Sequence, residues 1–270
     1  MKTKTLFIFI FTIVSLCVQA QSFYVRAGLG AAISTSPRIS TQFTTFGDSA
    51  FFYQTDDSKR ICLANGVPIV AAAGYYFGNN FGIELGVDYF AGFNVKPFDE
   101  FYESATTSKG RGSMLSIVPA FVVRINNDKL KPYARLGIII GVLNKVLDFE
   151  TSDLSSNSSE TTSKIYGGIA VGAQAALGAE LPLNDFISLF GEVNLDEISW
   201  APTKGKYLKD TYNGVDLLPN MTTKEKTWIY VKNLDTSQTI PDSDPNKNTL
   251  VNYSFSNVGL IVGVKLNLGK

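Results

Sequence analysis

Histidine is absent from all 270 residues. That removes the Ser/His and His/Asp arrangements with which many hydrolytic sites move a proton near neutral pH. Cysteine is scarce, with only Cys17 and Cys62. Cys17 falls in the amino-terminal apolar segment behind Leu16, where lipid attachment calls for a small residue. Cys62 stands alone beyond that segment, so it has no internal disulfide partner, and nothing around it assigns it a role. Net charge is missing as well: 24 basic residues meet 24 acidic ones, which leaves no electrostatic footprint for nucleic acid. The apolar run at residues 6–14 (LFIFIFTIV) is too short to cross a bilayer as a helix, which takes about 20 apolar residues. Preceded by Lys2 and Lys4 and followed by Val18-Gln19-Ala20, it has the charged, apolar and small-residue parts of an export signal. Residues 1–20 are therefore predicted to be removed after Ala20, leaving 21–270 as one mature domain. Loss of the two lysines takes the basic count to 22 against 24 acidic, a net of −2.

What is present is alternation. In residues 81–93, Phe81, Ile83, Leu85, Val87, Tyr89, Ala91 and Phe93 share one face, and Gly82, Glu84, Gly86, Asp88, Phe90 and Gly92 share the other, a period of two. Residues 67–77 alternate the same way, and Gly78-Asn79-Asn80 between them is expected to supply the positive-φ residues of a tight turn. A soluble sandwich would put Lys, Thr and Ser opposite its apolar face. Here the opposite face is mostly glycine with two carboxylates, which suits a narrow, crowded interior. A strand of about 9–11 tilted residues spans a bilayer, and these are long enough.

The same signature recurs at 22–34, 113–125, 130–142, 164–181, 186–199 and 251–268. The 164–181 stretch, rich in Ala and Gly with small residues four apart, also fits a helix packing face; its flanking turns and Gln174 favour a strand. Short turns fall at 78–80, 126–129 and 182–185. Long polar connections fall at 35–65, 94–112, 143–163 and 201–250, and within the last of these Thr227-Trp-Ile-Tyr-Val231 reads either as part of a hairpin above the membrane or as a buried strand. The chain is thus predicted to be all-β, an eight-stranded antiparallel up-and-down transmembrane barrel with short periplasmic turns and long extracellular loops. Its first and last strands must pair, because lipid leaves no backbone group to be satisfied by water. Two lipid-facing aromatic girdles are expected, Phe23, Tyr75, Phe77, Phe81 and Phe186 at the turn side, and Tyr89, Phe93, Tyr166, Trp200, Tyr253 and Phe255 at the loop side.

Export signal, eight alternating strands, alternating short turns and long loops, and a final strand NVGLIVGVKLNLGK together resemble the small outer-membrane β-barrel proteins of Gram-negative bacteria, the porin-like or outer-membrane-protein-A-like barrels. The ending in Leu-Gly-Lys departs from the terminal aromatic common among them. The resemblance implies a place in the bacterial outer membrane among lipid and lipopolysaccharide. It rests on architecture and carries no catalytic motif, so it says little of function.

Glu84 and Asp88 lie two steps apart on one inward face and suggest a paired-carboxylate site, but inward cations stand beside them, and ion pairing is the simpler account. The expected interior polar cluster is Arg26, Glu84, Asp88, Arg124, Lys131, Arg135, Gln174, Glu180, Glu192 and Lys265. An eight-stranded barrel is only wide enough for side chains to fill it. Asp242, Asp244, Asn246 and Asn248 have the alternation of a calcium loop, but Lys247 occupies its glycine position and Tyr253 its terminal Glu position. No catalytic, cofactor or metal site is therefore expected. The leading expectation is a non-enzymatic structural and surface-interaction protein, a monomer whose loops meet an extracellular protein or glycan. A small ion or solute channel is the alternative, and a soluble exported lipid-binding barrel is a further one.

Overall fold

The computed structural model describes residues 21–35, 38–40, 59–61, 63–94, 106–127, 129–154, 157–235 and 239–268. Residues 1–20, for which an export signal is predicted, and Cys62 lie outside the described residues. Eight strands make the barrel: β1 (Gln21–Ser34), β2 (Gly66–Phe77), β3 (Phe81–Gly92), β4 (Thr106–Arg124), β5 (Lys131–Leu154), β6 (Ala170–Pro182), β7 (Ile187–Trp200) and β8 (Asn257–Asn267). Each pairs antiparallel with the next, and β8 returns to β1 from Ser34↔Asn257 to Tyr24↔Asn267. The 164–181 stretch is a strand from Ala170 onward, so the helical alternative falls. Gly167 and Gly168, both at positive φ, break the chain ahead of it.

The side-chain distribution is inverted relative to a soluble protein. Leu29, Leu85, Leu136, Leu177, Leu260 and Val262 are all more than half exposed, while Arg26, Glu84, Arg135, Glu192 and Lys265 are at most 7% exposed. An apolar band of this size on a monomer needs a non-aqueous neighbour. Among the described residues no helix is long and apolar enough to cross a membrane; the strands carry the apolar surface.

The turn end is tied by side chains. Asn184 Oδ1 accepts from the backbone N–H of Phe186 (2.9 Å) and Ile187 (2.8 Å), and Asn80 Nδ2 donates to the Arg124 carbonyl at 2.9 Å. Within 78–80 only Gly78 takes a positive φ, 78°. Asn79 and Asn80 do not, and the expectation of several positive-φ residues in this turn narrows to Gly78 alone.

The long-loop end is more ordered than a polar loop reading of 143–163 allows. A bulge between Leu115 and Ser116 sets the register of β4 on β5. Beyond it both strands continue out of the barrel, β5 as far as Leu154, and the chain returns as a strand Asn157–Tyr166. Lys204–Tyr212 adds to that strand, Thr227–Val231 to Lys204–Tyr212, and Asn246–Thr249 joins in parallel as the edge. Thr227–Val231 therefore belongs to a sheet standing beyond the barrel and is not a core strand. Its start is fixed by a capping box, in which Glu225 accepts from the Thr222 backbone N–H at 2.8 Å. That bond, with the one from the Thr222 hydroxyl, holds the Glu225 carboxyl below the usual carboxylate range.

Three aromatics of the expected loop-side girdle are not lipid-facing. Trp200, Tyr253 and Phe255 are at most 3% exposed and cluster with Leu63, Phe90, Met114 and Ile198 across the mouth. The parity of β7 accounts for Trp200, since it continues the inward series Phe190, Glu192, Asn194, Asp196 and Ile198. Phe23, Phe81, Phe186, Tyr89 and Phe93 do face outward.

Candidate functional site

Midway along the barrel two short sequence patterns build a crossed ion cluster. β1 carries Tyr24-Val-Arg26-Ala-Gly28 and β5 carries Tyr133-Ala-Arg135-Leu-Gly137. Two strands on from each, β3 and β7 present Glu84 and Glu192 to the interior. Tyr24 Oη donates to Glu84 Oε2 at 2.9 Å, and Tyr133 Oη donates to Glu192 Oε2 at 2.7 Å. Arg26 grips Glu84 with two parallel bonds, Nε to Oε2 at 2.9 Å and Nη2 to Oε1 at 2.8 Å, and reaches Glu192 with Nη1 at 3.3 Å. Arg135 Nη2 bonds Glu192 Oε1 at 2.7 Å, its Nη1 donates to Gln174 Oε1, and its Nε lies 3.7 Å from Glu84 Oε1. Each carboxylate thus faces both guanidiniums, and the bidentate geometry is the strong form of the pair.

Each tyrosine is positioned by a glycine. Tyr24 stands opposite Gly74 in the register and Tyr133 opposite Gly178. A Cβ on Gly74 would lie 2.2 Å from Tyr24 Cζ, and one on Gly178 would lie 2.6 Å from Tyr133 Cζ. Gly74→Ala is expected to push Tyr24 off Glu84 and lower stability by about 1–3 kcal/mol, the usual cost of overpacking. Gly191→Ala, where a Cβ meets nothing within 4 Å, is the control, and a urea titration of the refolded pair is the measurement. Equal stabilities would mean that the ring sits elsewhere.

Nearer the turn end, Lys265 Nζ donates to Glu180 Oε1 and to Tyr76 Oη (3.1 Å) and lies 3.9 Å from the centroid of the Tyr24 ring. Arg124 is at the rim, half-buried, stacked on Tyr76 at 3.7 Å and bonded through Nε to the Asn79 carbonyl. Lys131 is half-buried at the same end, opposite Glu180 in the register. Nearer the mouth, Gln174 Nε2 approaches Asp88 Oδ2 at 3.5 Å and Asn194 Nδ2 donates to Asp196 Oδ2 at 3.0 Å. With Ser116 and Asn257, these four line a cavity of about 30 Å³, room for about two waters.

The ten expected polar residues thus divide by level. Arg26, Glu84, Arg135, Glu192 and Gln174 meet in one cluster, Glu180 and Lys265 form a second below it, Asp88 sits above, and Arg124 and Lys131 stand at the rim. Glu84 and Asp88 do not act as a pair, because Glu84 is held by Arg26 and Tyr24. Among the described residues no group of three or more His, Cys, Asp or Glu side chains converges. Tyr24, Tyr76 and Tyr133 belong to the network and were not among the expected site residues. The repeated Tyr-x-Arg-x-Gly was the signal for two of them.

The profile of the outer membrane protein beta-barrel domain family matches residues 8–181. No curated protein matches the chain. Among solved structures it is similar to a major outer membrane protein of Thermus thermophilus (13% identity, 93% of this chain and 100% of that one, TM-score 0.46). It is also similar to Neisserial surface protein A (14% identity, 93% and 100%, TM-score 0.36) and to Ail, the attachment invasion locus protein of Yersinia pestis (9% identity, 92% and 96%, TM-score 0.33). At these identities the likeness is one of fold.

Proposed function

The chain belongs to the outer membrane protein beta-barrel domain family, and from that premise we propose that it is a non-enzymatic barrel whose lumen is closed by its own side chains and whose long-loop end is a surface for adhesion or partner binding. In this reading residues 1–20 are the export signal, the short turns face the periplasm, and the sheet beyond the barrel stands outside the cell. The observation that carries it is the interior cross-section. Three cations (Arg26, Arg135 and Lys265) are matched by three carboxylates (Glu84, Glu180 and Glu192), all at most 7% exposed, with the aromatic mouth above them. The cavity left between these layers, about 30 Å³, is far below the roughly 300–1,000 Å³ of a ligand pocket. That size, together with the apolar exterior, also rules against the soluble lipid-binding barrel. Every barrel strand already has two neighbours, which favours a monomer, since no sheet edge is left within the membrane for a second copy.

Planar-bilayer recording of the refolded full chain tests the closed lumen, and no stable conductance steps are expected. Reproducible open steps from the unmodified protein would favour the small channel instead. Protease accessibility of 201–250 on intact cells tests the orientation; protection there with cleavage only after lysis would reverse it.

A further inference from the structure

The sheet beyond the barrel is sided by charge. The register aligns Arg111, Leu147, Lys164, Lys206 and Thr227 in one row and Lys145, Tyr166, Lys204, Ile229 and Lys247 in the next, both on the face continuous with the lipid-facing side of the barrel. Neither row contains a carboxylate. The opposite face of the same strands carries Val146, Ile165 and Trp228 over the mouth together with Asp148, Glu150 and Asp210, and among the described residues of these strands it carries no basic side chain. Further out, Lys209 is already paired with Glu160.

Lys164 and Lys206 are direct cross-strand partners, adjacent strands being about 4.8 Å apart. Like charges so placed repel. Lys145 and Lys204 stand in the neighbouring row on either side of Tyr166, and Lys164 Nζ lies 4.9 Å from the centroid of the Tyr166 ring. Such a group is unfavourable alone and favourable with an anion between its members. Its height says which anion. Lys145 is two residues beyond Leu143 (68% exposed), and Tyr166 is three residues short of Ile169 (64% exposed), both on the apolar exterior. Two residues of a strand tilted by about 45° rise roughly 5 Å and four roughly 9 Å. That puts the row of Lys145, Tyr166 and Lys204 at the apolar boundary, where interfacial tyrosines sit, and Lys164 and Lys206, in the row of Leu147, one step further out at the depth of the lipid phosphates.

We infer that this face binds phosphate groups of the lipid headgroups around the long-loop end, with phosphate oxygens bridging Lys164 and Lys206. The choice of outer-leaflet lipid rests on the orientation proposed above; the headgroup site itself rests on the register and the apolar rim. The test compares the full chain with its Lys164→Gln/Lys206→Gln form, each refolded into phosphatidylcholine vesicles alone, with lipid A bisphosphate, or with phosphatidylglycerol. In phosphatidylcholine alone the variant should unfold at a temperature equal to or above that of the unmodified protein, because the repulsion is gone. Lipid A should raise the unfolding temperature of the unmodified protein, most of that rise should be missing in the variant, and high salt should suppress it. An equal rise in both proteins overturns the inference. So does an equal rise in the unmodified protein when inorganic phosphate is added to plain phosphatidylcholine vesicles, since the site would then serve a soluble anion. A rise with phosphatidylglycerol but not with lipid A keeps the headgroup site and reverses the orientation.

Discussion

Glu192→Ala is expected to lower stability by about 3–5 kcal/mol, the range for removing one partner of a buried ion pair. The Glu192 side chain is inaccessible to solvent and serves three donors, Arg26, Arg135 and the Tyr133 hydroxyl. Alanine leaves Arg135 with Gln174 and a distant Glu84, and leaves the Tyr133 hydroxyl without an acceptor. The penalty is that of stranded donors in a site where water has little room to enter. Glu192→Gln, which keeps the volume and one acceptor oxygen, should lose less. Urea titration of the refolded protein, with heat-modifiable gel mobility as a second reading, measures both. Glu84→Ala should behave alike, because Tyr24 and Arg26 meet Glu84 as Tyr133 and Arg135 meet Glu192. A loss below about 1 kcal/mol, the scale of exposed pairs, would mean that solvent reaches the cluster and that the lumen is not closed there.

Parity made much of this legible from the amino-acid sequence. A period of two assigns a face to every residue of a strand, so Arg26, Glu84, Arg135, Glu192 and Lys265 could be placed inside before any pairing was known. Pairing itself was out of reach. Arg26 and Glu192 are 166 positions apart and meet only because the stagger of a closed barrel brings β1 and β7 to the same height. Parity puts Tyr24 and Tyr133 on the inward face too, each two residues before an inward arginine, but a cluster drawn from charged and amide side chains alone omits them. The girdle pattern gives Trp200 its height in the barrel but not its direction, which follows from the parity of β7. The sheet beyond the barrel was hidden by composition. Between Asn144 and Tyr166 both faces are largely polar, Ser and Thr sit among charges, and the alternation survives only as Val146 and Ile165 on one side and Lys145 and Lys164 on the other. A polar strand with two wetted faces reads as a loop until a neighbour is seen to pair with it.

Trp200→Ala is the second change with a large expected effect, about 3–5 kcal/mol for truncating a fully buried indole. Trp200 Nε1 donates to the Gly167 carbonyl at 2.8 Å, and the ring meets Tyr253 and Phe255 with centroids 5.4 and 5.9 Å away. Its loss frees the turn at Gly167-Gly168 and the approach to β8, both of which lie at the mouth. Cleavage within 201–250 by added protease should therefore quicken along with the loss of stability. On the closed-lumen reading proposed above, conductance should not appear, because the paired charges around Glu84 and Glu192 stand at a lower level and do not depend on the indole. Trp200 and Glu192 stand eight residues apart on β7, about 26 Å at about 3.3 Å per residue, and their hydrogen bonds go to different partners. The stability losses of Trp200→Ala and Glu192→Ala should therefore add to within about 0.5 kcal/mol in the double variant. Open steps from Trp200→Ala alone would assign closure to the mouth and leave the ion cluster a structural role only, whereas steps that need both changes would mean that either layer closes the barrel without the other.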